Sequence, residues 1–61
     1  MNRREMLDMA KVDALKLEET TRQIYATSDG LADIVWYRLL TQVADLRAEI
    51  MQAVKAEGGG E

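Results

Sequence analysis

Side chains able to do chemistry are few in this chain, and each has to be judged by its neighbours. Paired carboxylates are the material of general acid-base catalysis, and the available pairs are Glu18 with Glu19 and Asp45 with Glu49. Such work needs a dry cleft that pushes the two groups to different protonation states. At helical spacing both pairs fall on charged faces with solvent behind them, so a solvated, ion-paired surface is the expected role. Ser28 has no His or Lys base near it in sequence and stands among turn formers, where it has a sufficient structural task. Asp29 and Asp33 lack the regularly spaced oxygen ligands of a calcium loop. With no His and no Cys there is no nitrogen or sulfur ligand for zinc, no disulfide and no thiolate. Gly58, Gly59 and Gly60 have no helix behind them to cradle a phosphate. No catalytic, metal-binding or cofactor-binding residue is assigned, and a non-enzymatic protein without a cofactor is expected.

Charge narrows the partners further. The formal charge is -3 and the pI about 4.8, whereas neutralisation of phosphates by Lys and Arg supplies most non-specific nucleic-acid affinity. Residues 1–28 are neutral and all of the net negative charge falls in residues 29–61. Arg4, Lys11 and Arg22 share one edge of the first half, but Asp8, Glu18 and Glu19 are interleaved, and Glu18 precedes Arg22 in the favourable order for an i,i+4 pair. Nucleic acid is therefore not the expected partner. No apolar run approaches a membrane span, and Met-Asn-Arg-Arg-Glu leads into charge at every turn, not into the core of a signal peptide. A cytoplasmic protein with no membrane contact is expected.

The elements that carry these side chains are helical. Of 61 residues none is Pro or Phe, while Leu, Ala, Glu, Lys, Arg, Met and Gln are abundant. Asn2 and Glu5 have the spacing of a capping box, which starts a first helix over about 3–27. Thr27-Ser28-Asp29-Gly30 is the cluster of turn formers between the two halves, and a turn over 28–30 is expected in preference to one unbroken helix. Ser28 or Asp29 would cap a second helix over about 31–57, and a flexible Gly-rich tail over 58–61 would follow. Strands are not expected, since no stretch alternates with period two.

Helical phase then selects a core. Leu7, Ala10, Ala14, Leu17, Thr21 and Ile24 recur at spacings of three and four, and Ala32, Trp36, Leu39, Val43, Leu46, Ile50 and Ala53 do the same on the second helix. These two stripes are the expected hairpin seam, with Leu39 and Leu46 at its centre. A chain this short buries only about 60% of the surface it exposes when unfolded and usually needs a staple or a partner. Tyr37, Leu40, Ala44 and Met51 form a second apolar stripe on the second helix. The expected fold is all-α: an antiparallel two-helix hairpin, paired with a second copy as a homodimeric four-helix bundle.

Two anomalies mark candidate protein-binding residues. Arg47 is phased among Leu40, Val43, Met51 and Val54, where a guanidinium must snorkel, pair with a carboxylate of the other helix, or await a partner. Val12 and Leu15 point away from the expected seam. Tyr37, Leu40, Arg47 and Met51, with Val12 and Leu15 as a weaker patch, are the candidate docking surface for an unidentified protein target.

In length, turn position and expected architecture the chain resembles the Rop-like plasmid RNA-binding proteins, and Leu7-Asp8-Met9-Ala10-Lys11 and Ala32-Asp33-Ile34 are similar to short stretches of that family. The resemblance implies a dimeric bundle of helical hairpins. Where that family presents an amide and an exposed aromatic to RNA, the corresponding turns here carry Asp8 and Val12, so the RNA function is not carried over. The leading expectation is a small regulatory or inhibitory protein, of the kind phages and mobile elements encode, that binds a larger protein through helix faces. The alternatives are an RNA-binding bundle of the Rop-like kind and a structural subunit or chaperone of a larger assembly.

Overall fold

The computed structural model describes residues 2–59 and shows a helical hairpin: α1 over Arg3–Thr27 and α2 over Leu31–Val54, packed antiparallel. Gly60 and Glu61, the end of the expected tail, lie outside the described residues. Helix α1 starts where its capping box places it. The Asn2 side chain accepts from the Glu5 amide at 2.8 Å, and Glu5 Oε1 accepts from the Asn2 amide at 3.3 Å, so two orphan donors are satisfied reciprocally.

The turn is built differently from the expectation. Ser28 closes α1 instead of opening α2: its amide donates to the Tyr25 carbonyl at 3.1 Å and its hydroxyl to the Ile24 carbonyl at 2.8 Å. Gly30 is the N-cap of α2 and offers no side chain to it; φ is 64° and ψ is -139°, a conformation that a residue without Cβ adopts readily. At the far end α2 widens into a π-type turn over Lys55–Gly59, in which Glu57 and Gly58 leave helical geometry.

The contact between the helices is rotated from the expected one. Along α1 and its C-cap, Leu7, Lys11, Ala14, Glu18, Thr21, Tyr25 and Ser28 are buried or half-buried, and along α2 Asp33, Trp36, Leu40, Val43, Arg47, Ile50 and Val54; Ala10, Ile24, Leu39, Ala44 and Met51, also half-buried, flank these series. Both series keep heptad spacing, which lets two straight helices stay in contact along their length. Leu17 and Leu46, expected inside the seam, remain 50% and 49% exposed, and Leu39 is half-buried at its margin. The reason lies at the centre of the contact, where Glu18 and Arg47 meet across the helices. Aliphatic stems cover the seam while their charged ends pair, and this turns the more apolar column of each helix to one side.

Burial is correspondingly thin. Ala14, Glu18, Thr21 and Val54 are the buried side chains among the described residues, and no large side chain there is fully enclosed. The hairpin measures 43 × 19 × 15 Å, a slab one helix thick. A two-helix slab has no interior, so its apolar side chains are sheltered on one side only.

Candidate functional site

Glu18 and Arg47 are the most buried charged pair of the described chain. Arg47 Nε donates to Glu18 Oε1 at 2.5 Å, with side-chain exposures of 32% and 12%. Arg22 reaches the second oxygen of Glu18 at 3.3 Å and Glu19 at 3.8 Å. Both oxygens of Glu18 are thereby occupied, and among the described residues no buried side-chain polar atom lacks a partner. Of the three fates open to Arg47, pairing with a carboxylate of the other helix is the one the structure adopts.

Glu18 consequently acts as a structural anchor, unlike the other carboxylates of the two pairs. Glu18 holds two guanidiniums, Glu19 is exposed, and Asp45 and Glu49 face solvent. Basic groups are similarly engaged: Arg3 forms a two-pronged contact with Glu57, both N···O distances being 2.7 Å, and Arg22 sits on Glu18. The Arg3 guanidinium holds the Glu57 carboxyl below its ordinary value, chiefly through the hydrogen bond, and Arg3 is raised in return. Arg4 and Lys11 line a recess at this open end together with Asp8 and Glu57, so the recess carries both signs of charge.

Besides Met9, Val12 and Leu15 on α1, two apolar surfaces are available among the described residues. The first is a groove of about 220 Å³ running between the helices along one broad side, lined by Ala10, Ala14, Leu17, Val43, Leu46 and Ile50. Asp13 and Arg47 stand at its edges. By helical phase the same side carries Met6, Ile24, Val35, Leu39 and Ala53, of which Met6 and Val35 are about half exposed. Of the residues expected inside the seam, Leu7, Ala14, Thr21, Trp36, Val43 and Ile50 are in the contact, while Ala10, Leu17, Leu39 and Leu46 open toward this outer face.

The second surface is at the turn end of α2. Leu31 is 84% exposed, Ile34 62% and Tyr37 60%. At about 100° per residue Leu31 and Ile34 lie on the side of α2 opposite the seam and Tyr37 on the flank away from the groove, an arc of about 120°. Tyr37 leans on Tyr25 with ring centroids 5.8 Å apart and planes tilted by 53°, which fixes the ring without covering it. A shallow recess between Tyr25, Asp33, Ile34 and Tyr37 completes the patch.

The candidate docking residues read from sequence are divided by this arrangement. Tyr37 is exposed in the turn-end patch. Leu40 is half-buried in the seam, and Arg47 is committed to Glu18, so neither is presented as a recognition group. Met51 is half-buried on the flank opposite the groove, and Val12 and Leu15 are about half exposed on α1, far along the axis from Tyr37. Leu31 and Ile34 were absent from the sequence assignment. Their signal was present: once the seam is phased on Asp33, Trp36 and Leu40, an aliphatic pair at i and i+3 beside the turn has to point outward.

Among the described residues no helix is long and apolar enough to cross a membrane, and no group of three acidic side chains gathers as a metal site would require. Comparison with family models, with curated proteins and with solved structures gives no match to this chain.

Proposed function

We propose that the chain is a small non-enzymatic regulatory or inhibitory module of the cytoplasm, which acts by laying the turn end of its second helix against a larger protein. The observation that carries this reading is the exposure of Leu31 and Ile34 on the side of α2 opposite α1, with Tyr37 still 60% exposed beside them although it leans on Tyr25. Two aliphatic side chains and a tyrosine at helical spacing are the anchors of helix-in-groove recognition, and Tyr is among the residues that most often dominate binding energy. Arg38 follows directly and supplies a charge to orient the encounter. Glu18, Glu57 and the guanidiniums paired with them, by contrast, are engaged within the hairpin.

The test is a photo-crosslinking residue at Tyr37 in the full chain, expressed in the source cell. The expected result is one discrete heavier adduct that disappears when Ile34→Glu is added, with helicity by circular dichroism unchanged. Adducts only with a second copy of the chain, or an adduct indifferent to Ile34→Glu, would remove the turn-end patch as a recognition surface.

A further inference from the structure

We infer that the groove side of the hairpin is the interface with a second copy of this chain, and that the two copies lie with their turns at opposite ends. The inference does not depend on any target of the turn-end patch. It begins from which residues of the two helices stand level. The Glu18–Arg47 pair and the Tyr25–Tyr37 contact set the register of the antiparallel helices. In that register Ala10 stands beside Ala53, Leu17 beside Leu46, and Ile24 beside Leu39. Each pair is seven residues from the next, ~10.5 Å along the axis, and each lies on the groove side.

Three features of these layers select the occupant. All six residues are apolar at an unbroken seven-residue interval, so whatever covers them is itself helical with the same repeat, because only knobs at that interval reach every layer. The face runs the 43 Å length of the hairpin and the 19 Å width of its two helices, and along it Met6, Leu17, Val35 and Leu46 are each about half exposed. The helices of a second copy have the length and the repeat that the face requires.

Layer volumes then fix the orientation. The sequence of layers is small at the open end (Ala10, Ala53), large in the middle (Leu17, Leu46) and large at the turn end (Ile24, Leu39). With both turns at one end, four alanines would face each other across a void and four large side chains would crowd the other end, and both faults are destabilising. With turns at opposite ends, the twofold axis passes through the Leu17 and Leu46 layer. Each alanine layer then receives the Ile24 and Leu39 layer of the partner. Small meets large at both ends, which is how a core fills at native density. A further consequence is that the two turn-end patches stand at opposite ends of the bundle.

The absence of native cysteine makes the test direct. A nitroxide on Asp29→Cys of the full chain would be followed by sedimentation equilibrium and by pulsed dipolar spectroscopy. The expected mass is that of two 6.9 kDa chains, and the expected spin-spin distance is close to or beyond the 43 Å length of the hairpin. A well-folded monomer at ~100 µM overturns the interface, and a distance under about half the hairpin length overturns the orientation. A volume swap supplies a second reading. Ala10→Ile alone should weaken association about tenfold through overpacking, and Ile24→Ala alone by a similar factor through a cavity. Within one chain these positions are ~21 Å apart, so recovery of association in the double variant can arise only between copies. A double variant as weak as the product of the two single losses overturns the pairing of those layers.

Discussion

The strip along which α1 meets α2 and the strip immediately beside it follow the same two helices, yet they are made of different side chains. On the contact strip Lys11, Glu18, Thr21, Ser28, Asp33 and Arg47 stand among the apolar residues, and the centre is an ion pair. On the neighbouring strip the heptad positions are Ala10, Leu17 and Ile24 on one helix and Leu39, Leu46 and Ala53 on the other, with no polar residue among them. In a slab of two helices the contact strip is an edge: one side is wet and the other leads toward whatever covers the groove. Amphipathic side chains suit an edge, because their stems pack and their charges reach partners or water. The column without any polar atom belongs where shelter is complete on both sides. The difference teaches that in a minimal helical unit the most apolar face need not be the face by which its own helices meet.

The sharpest way to break this comparison is to truncate the apolar strip. Leu46→Ala or Leu39→Ala should cost ~2 to 5 kcal/mol where the groove is covered, as expected of a cavity in a packed core. Where the hairpin is alone, a side chain already half exposed, as Leu46 is, should lose only about 1 kcal/mol. Urea unfolding at two protein concentrations separates the cases. An effect near 1 kcal/mol that does not change with concentration would show that the groove stays wet.

The contact strip should respond differently. Removing one member of the Glu18–Arg47 pair leaves the other partly buried and uncompensated, and Glu18→Ala should cost about 2 kcal/mol, reduced from the fully buried case because Arg47 is a third exposed. Replacing both, as Glu18→Leu with Arg47→Met, should return stability to within about 1 kcal/mol of the native chain or exceed it. Thermal melts of the three variants give the comparison. If the double variant is as unstable as the single one, the pair contributes more than register. The turn is a smaller lever. Gly30→Ala introduces a Cβ that meets nothing within 4 Å, so its cost is conformational alone, about 1 to 2 kcal/mol at φ 64° and ψ -139°, a region L-residues rarely enter. A melt unchanged by Gly30→Ala would mean that the turn relaxes freely.

These contrasts also show which parts of the molecule were legible beforehand. The hairpin was readable, because the Asn2 and Glu5 cap and the cluster from Thr27 to Gly30 are local signals and the helices obey them. Phase about the helix axis was readable only in part: the columns through Leu7, Ala14 and Thr21 and through Trp36, Val43 and Ile50 lie in the contact, and the column beside each does not follow the apolar pattern. Heptad stripes through Ala10, Leu17 and Ile24 and through Lys11, Glu18 and Tyr25 lie within about 100° of each other, and a rule that buries the more apolar stripe chooses the first. The structure uses the second, because Glu18 and Arg47 become compatible with contact once they neutralise each other, and that pairing is a property of two helices together. Arg47 carries the clue, as a charge phased among apolar residues for which pairing with a carboxylate of the other helix is one of three possible fates. The capping role of Ser28 was misassigned for a related reason: a hydroxyl in a turn serves either the helix before it or the helix after it, and the spacing alone does not say which. The same error of phase hid Leu31 and Ile34, since a residue points outward only relative to a seam already fixed.

The smallest expected effect concerns a second ion pair between distant parts of the chain, and it sharpens the comparison by contrast with the buried one. Arg3 and Glu57 join the start of α1 to the wide turn after α2 through two short hydrogen bonds, but their side chains are 69% and 39% exposed. Because the folded carboxyl of Glu57 lies below its unfolded value, the contribution is fully present above the unfolded value and is lost as pH falls through the folded one. Arg3 stays charged throughout, so it sets no pH window of its own. Melting temperatures of the native chain and of Glu57→Gln should therefore differ slightly at about pH 6 and converge toward about pH 3. Added salt should close the gap at any pH, since exposed pairs are screened where buried pairs are not. The corresponding Glu18→Gln variant should keep its deficit in salt. If salt rescued Glu18→Gln as readily as Glu57→Gln, the central pair would be behaving as surface, and the distinction between the edge strip and the solvent-exposed end of the hairpin would fail.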